Sequence, residues 1–126
     1  MVKPMQPGEP QAGHYAMRLA RRGIAVAVKI WFGQPIIDGE EQDRSPRWCA
    51  AIDGRTDRIE RDDSGYCCRV PLDVFAAWPE CAKKPISARE YAFLLRRKQW
   101  ALDHAPQHPA ANPREAIDVR AMRPFF

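Results

Sequence analysis

Apolar and polar positions change their period along this chain. In HYAMRLA, residues 14–20, Tyr15, Met17 and Leu19 alternate with Ala16, Arg18 and Ala20, a period of two that predicts a strand with one buried side. Arg21-Arg22-Gly23 follows as a turn, where Gly23 can supply the positive φ that a three-residue hairpin loop needs. The next run, IAVAVKIWF, is rich in β-branched residues and sets Ile24, Val26, Val28, Ile30 and Phe32 against Ala25, Ala27, Lys29 and Trp31. It reads as a central strand, or one covered on both faces. RWCAAID, residues 47–53, is a third strand with Trp48, Ala50 and Ile52 inward, and Asp53-Gly54 closes it as a tight turn. Weaker strands are expected over 56–61 and 66–70, on either side of Asp62-Asp63-Ser64-Gly65. Strands this short with turns this close predict an α+β fold built on a small antiparallel sheet or an SH3-like barrel of about four or five strands.

From Pro71 the period lengthens. PLDVFAAW can make one or two helical turns before Pro79, with Val74, Phe75 and Trp78 capping one end of the sheet or barrel. ISAREYAFLLRRKQWALDHAP, residues 86–106, is the longest predicted helix. Ser87 and Glu90 have the spacing of a capping box, in which the hydroxyl accepts from the Glu90 amide and the carboxylate reaches back to the Ser87 amide. Ile86 and Tyr91 can add a hydrophobic staple, and Pro106 sets the stop. Spaced at 100°, Tyr91, Leu94, Leu95, Ala101, Leu102 and Ala105 form the stripe expected to face the core. Opposite lie Phe93 and Trp100, flanked by Arg89, Arg96, Arg97 and His104, so the helix carries a second occupied face.

These elements divide the chain into an arm over residues 1–12, an α+β domain over 13–106 and a tail over 107–126. The arm is rich in Pro, Gly and Gln and is expected to be disordered. The domain has a β part over 13–70 and a helical part over 71–106. The tail has prolines at 109, 113 and 124 and is expected to run extended to Phe125-Phe126. A length of 126 residues fits one domain with one core, and twelve prolines predict much irregular chain. The longest apolar run, Ile24 to Phe32, is broken by Lys29 and falls far below the ~18 residues of a membrane span. No apolar signal segment opens the chain, so a cytoplasmic location and no membrane partner are expected.

Charge narrows the choice of site. The chain carries a formal +4, and residues 83–104 hold Lys83, Lys84, Arg89, Arg96, Arg97 and Lys98 against Glu90 and Asp103, so the excess sits on the long helix. Three readings fit its aromatic and basic face. The tail can fold back over Phe93 and Trp100, with Phe125 and Phe126 or Ile117 and Val119 as cover. The face can bind a protein or a second copy of the chain, since Trp and Arg tend to carry interface energy. It can also bind nucleic acid, with arginines on phosphates and rings on unpaired bases. Between strands, Asp38, Glu40, Glu41 and Asp43 form an acidic loop answered nearby only by Arg44, either a solvated loop or a docking patch that mimics phosphate.

Catalytic and metal chemistry have little to stand on. No GxSxG, P-loop, HExxH or GxGxxG occurs. His14 could work as a base with Asp53 or Asp73, but a lone strand histidine is more often structural. Cys49, Cys67, Cys68 and Cys81 include no CxxC pair and are expected to be reduced thiols, at least two of them buried. His104 and His108 are four apart, yet Pro106 between them ends the helix that would align them. No cofactor, metal site or catalytic residue is assigned, and a small enzyme of unknown reaction remains only as a third class.

The stretches GHYAMRLARRG, VKIWFGQP, DRSPRWCAAIDG, EYAFLLRRKQWALDHAP and HPAANPREAID resemble a group of small accessory proteins encoded by tailed phages and prophages. The resemblance spans residues 13–118 and carries no catalytic residues. It implies a bacterial cytoplasm and a binding role on replication intermediates or host machinery, including defence complexes that handle nucleic acid. The expectation is a non-enzymatic protein that binds a macromolecular partner, more often a protein, through the helix face and the acidic loop. The alternative is a nucleic-acid-binding module using Arg89, Arg96, Arg97 and Trp100.

Overall fold

A computed structural model describes residues 9–114. The β-branched run becomes β2 (Ala25–Gly33), the middle strand of a three-stranded antiparallel sheet ordered β1 (Gly13–Arg18), β2, β5 (Arg47–Ile52). Tyr15 stands opposite Val28, which stands opposite Ile52, while Ile30 faces Ala50. Because side chains alternate across a strand, this register gathers Tyr15, Val28, Ile30 and Ala50 on one side. On that side they bury against α1 (Val74–Cys81) through Val74, Ala77, Trp78 and Cys81. The other side is small where it is buried, with Ala16, Ala27 and Ala51, and carries Lys29 and Trp31 farther along β2. There α2 (Ala88–His104) crosses β1 and β2, with the Tyr91 ring 4.7 Å from that of His14. β2 is therefore covered on both faces. Phe32, expected inward, is exposed and edge-packed on Trp48 at the sheet's end.

Helix α1 is longer than expected and runs through Pro79 to Cys81. Asp73 caps it by accepting from the amides of Phe75 and Ala76. Proline inside a helix costs about 3 kcal/mol. Burying Trp78, Val74 and Cys81 offsets that cost, since each large apolar side chain contributes about 1.5–3 kcal/mol. The chain leaving α1 then covers the free edge of β1: Ala16 donates to the Lys84 carbonyl and Ile86 to that of His14.

The remaining strands form separate hairpins. β3 (Ile36–Ile37) pairs with β4 (Glu40–Glu41), and β6 (Asp57–Arg61) with β7 (Cys67–Pro71). Among the described residues no ladder joins the three small sheets into a closed barrel. The expected acidic loop is thus the β3–β4 hairpin, turned by Asp38 and Gly39 with φ of 55° and 78°.

One local expectation is corrected, and those for the arm and the tail fall mostly outside the described residues. Gly23 has no positive φ; a Cβ there would lie 2.9 Å from the Pro113 carbonyl, so glycine permits a close backbone approach instead. Of the arm over 1–12, only residues 9–12 are described, and there Pro10 is buried and the Gln11 carbonyl accepts from the Tyr15 hydroxyl. Of the tail over 107–126, residues 107–114 are described, and they form successive turns rather than an extended run: Ala111 donates to His108, and Asn112 to Pro109. Ile117, Val119, Phe125 and Phe126 lie outside the described residues. No described helix is long and apolar enough to cross a membrane.

Candidate interaction surface

Helix α2 is positioned by a cap at one end and by two cations along its inner side. Ser87 accepts from the Glu90 amide at 3.0 Å, as the capping spacing predicts, and the helix ends at His104 just before Pro106. Ala101 is fully buried, and Leu95 reaches Gly54 in the β5–β6 turn. Arg97, expected on the outer face, instead donates through Nη2 to the Ala25 carbonyl at 2.8 Å. Its Nε is buried with no hydrogen-bond partner among the described residues, and burial pulls its pKa below the ordinary value while Asp53 opposes that shift. Lys98 pairs with Asp53 in the same turn. Asp53 has φ of 56°, and its amide donates to the Ala27 carbonyl. The basic residues of α2 are therefore divided: Arg97 and Lys98 fasten the helix to the sheet, while Arg89 and Arg96 are exposed.

The outer side holds the aromatic pair. Phe93 is 56% and Trp100 51% exposed, seven positions apart and so on the same side of the helix. The His104 ring lies 6.3 Å from Trp100, and the His108 ring meets Trp100 edge-on at 5.8 Å. His108 was not among the expected site residues. The turns after Pro106 bring it back, and its Nδ1 accepts from the Ala110 amide. Leu102, placed on the core stripe by spacing, is 47% exposed instead. The inward stripe is shifted toward Lys98 and Ala101, because the alanine-lined sheet admits close approach there.

The acidic residues separate in a similar way. Asp38 is engaged: its amide donates to Asp57 Oδ2 at 2.8 Å and its carboxylate lies 3.4 Å from Arg69 Nε. Arg69 also meets Asp57 at 3.1 Å, so it bridges the two carboxylates and ties the β3–β4 hairpin to β7. Asp57 is buried, and the Asp38 amide, then Arg69, hold its pKa below the usual carboxylate range against desolvation. Glu40, Glu41 and Asp43 are exposed, with no ion pair among the described residues. No hydrogen bond or ion pair among the described residues joins this hairpin to α2. They are two surfaces held by different parts of the sheet system.

The groups considered for catalysis are otherwise occupied. Asp53 pairs with Lys98 and Asp73 caps α1, leaving His14 against Tyr91 rather than beside either carboxylate. All four cysteines are free; Cys49 and Cys81 are buried, Cys67 and Cys68 exposed. Burial pushes the Cys49 thiol up, and raises that of Cys81 to about 11. Among the described residues no three His, Cys, Asp or Glu side chains converge as a metal site. No protein-family model, curated protein or solved structure matches the chain.

Proposed function

We propose that this chain is a non-enzymatic accessory protein, of the phage or prophage type its sequence resembles, that binds another protein in the bacterial cytoplasm through the outer side of α2. The observation that carries this reading is the exposure of Phe93 and Trp100 on one side of a helix whose other side is fastened by Arg97, Lys98 and Ala101. Exposed aromatic rings with flanking arginines are the residue types that dominate interface energies when a partner desolvates them. Arg89 and Arg96 beside the rings fit a partner with an apolar groove rimmed by carboxylates. Glu40, Glu41 and Asp43 form a second contact for a basic patch.

Nucleic acid is the second reading for this face, and it is weakened because Arg97 is spent on the Ala25 carbonyl. Two free arginines neutralise few phosphates, whereas two large rings bury much apolar area. The test is to isolate the protein captured by the immobilised chain from bacterial lysate and measure its affinity for the purified chain. Phe93→Ala with Trp100→Ala is expected to raise Kd about 30-fold or more, the scale of a lost hot spot. Affinity is expected to change little with salt, since steep weakening marks phosphate contacts. An unchanged Kd in the double variant would remove this face from the reading.

A further inference from the structure

The turns after α2 close a cleft of about 360 Å³ on the side of the helix away from Phe93 and Trp100. We propose that this cleft binds a phosphate group. Among the described residues its charged lining comes from three elements, Arg55 from the β5–β6 turn, Lys98 from α2 and Arg114 from the closing turns, with Asp53 as the one carboxylate. Asp53 is already paired with Lys98, so the described lining carries two further positive charges, of which Arg55 also acts at longer range on Asp57. Among the described residues neither Arg55 nor Arg114 has a carboxylate within ion-pair distance. Arg21 and Arg22 are exposed on the β1–β2 turn, whose Gly23 lies against Pro113, and they add to the field at this end.

The walls are held before any ligand arrives. Asn112 Nδ2 donates to the Pro106 carbonyl at 3.0 Å, and the Asp53 amide is tied to Ala27. Of the three donors on the Lys98 ammonium, Asp53 takes one. Cations supplied to one cleft by three elements suit a tetrahedral oxyanion, with oxygens in several directions, better than a planar carboxylate, which one guanidinium fork satisfies. The volume exceeds that of a lone phosphate and lies within the range of small-molecule sites. Among the described residues no aromatic ring lines the cleft, so recognition falls on the phosphate and not on a stacked base. The ligand is accordingly a phosphate ester, free or as one unit of a nucleic-acid backbone.

This site is independent of the partner face, since Lys98 and Trp100 are two positions apart on α2 and project from nearly opposite sides. The test is an amide-resolved NMR titration of the full chain with inorganic phosphate, with chloride matched for ionic strength. Saturating shifts at Arg55, Asn112 and Arg114 are expected with phosphate only. Arg55→Gln with Arg114→Gln is expected to weaken binding about tenfold or more, as each removes a charge-assisted hydrogen-bond donor. Arg89→Gln with Arg96→Gln on the outer side of α2 is expected to leave it unchanged. Equal shifts with chloride, or equal loss in both double variants, would overturn the proposal, because either would show only generic attraction to positive charge. A short single-stranded DNA then assigns the source: if it displaces phosphate from these amides the ligand is a backbone phosphate, and if it does not the ligand is a free ester.

Discussion

Trp78 and Trp100 are the same residue on two neighbouring helices, and their surroundings could hardly differ more. Trp78 is 1% exposed and meets the Tyr15 ring edge-on at 5.3 Å, while Trp100 is 51% exposed and, among the described residues, meets the rings of His104 and His108. The eight residues of α1 include a proline, so the helix cannot persist without the core that Trp78 fills. α2 has seventeen residues and is fastened along one side by alanine packing, a guanidinium and an ammonium group. A ring that the fold requires is sealed by its neighbours; a ring that the fold does not require can serve something else. The contrast separates the residues that make this domain from those offered outward.

The largest expected effect lies on the buried side of the comparison. Trp78→Ala removes the centre of the cluster formed with Tyr15, Val28, Ile30 and Ala50, and the cavity it leaves cannot collapse against a sheet covered on both faces. A loss of about 3–5 kcal/mol is expected in urea unfolding, a large share of the about 5–15 kcal/mol of an ordinary domain. A loss below ~1 kcal/mol would show that Trp78 is no more structural than Trp100, and the comparison would fail.

Cys81 sharpens the same side through pH. Its thiol is raised from 9.0 to about 11, by burial first and by Glu80 second. A raised folded-state pKa means that the stability is fully present below the unfolded value of 9.0 and declines as pH rises toward 11, because only the unfolded chain gains the thiolate. The shift corresponds to a decline on the order of 3 kcal/mol at most. Urea midpoints across that window are expected to fall steeply in the native chain and more gently in Cys81→Ala, which starts lower because it loses packing. Equal slopes would remove Cys81 from the sealed core.

Much of this division was legible in the residues, and the failures have physical causes. The alternation of Tyr15 with Ala16 and of Val28 with Ala27 located the strands of the sheet and left open whether both faces were covered, because a strand's period is fixed by covalent geometry. The capping spacing of Ser87 and Glu90 located the start of α2 for the same local reason. What could not be read was how long polar side chains would be used. Arg97 lies at the border of the helical stripe, and only the tertiary position of the Ala25 carbonyl makes it an inward residue. Asp38 looked like one carboxylate in a run of four, but its pairing with Arg69 depends on where β7 comes to lie. His108 was set aside because Pro106 ends the helix, and the following turns then bring its ring back to Trp100.

Adjacent arginines on α2 give a finer test of the boundary. Arg97→Met leaves the Ala25 carbonyl without its side-chain donor and replaces a half-buried guanidinium with an apolar chain. Losing that hydrogen bond is expected to cost about 1–2 kcal/mol, while Arg96→Met, one step outward, stays within about 0.5 kcal/mol. Paired urea curves decide it: the two variants behaving alike would erase the inner and outer sides assigned to α2. This is also why Arg97 does not belong in a test of the binding face.

The smallest effect is expected where the partner surface is proposed. Phe93→Ser with Trp100→Ser removes two rings that are each about half exposed, and no hydrogen bond among the described residues depends on either. The area already open to water contributes nothing to folding. What is lost is the contact of Trp100 with His104 and His108, and His108 keeps its place through the bond from the Ala110 amide. The stability change is therefore expected to be well under that of Trp78→Ala, at about 1 kcal/mol or less, with the far-ultraviolet circular dichroism of the helices retained. A loss approaching that of Trp78→Ala would mean that the rings are sealed by the protein's own chain. In that case α2 would have no side to offer, and Glu40, Glu41 and Asp43 would be left as the surface on which a partner could dock.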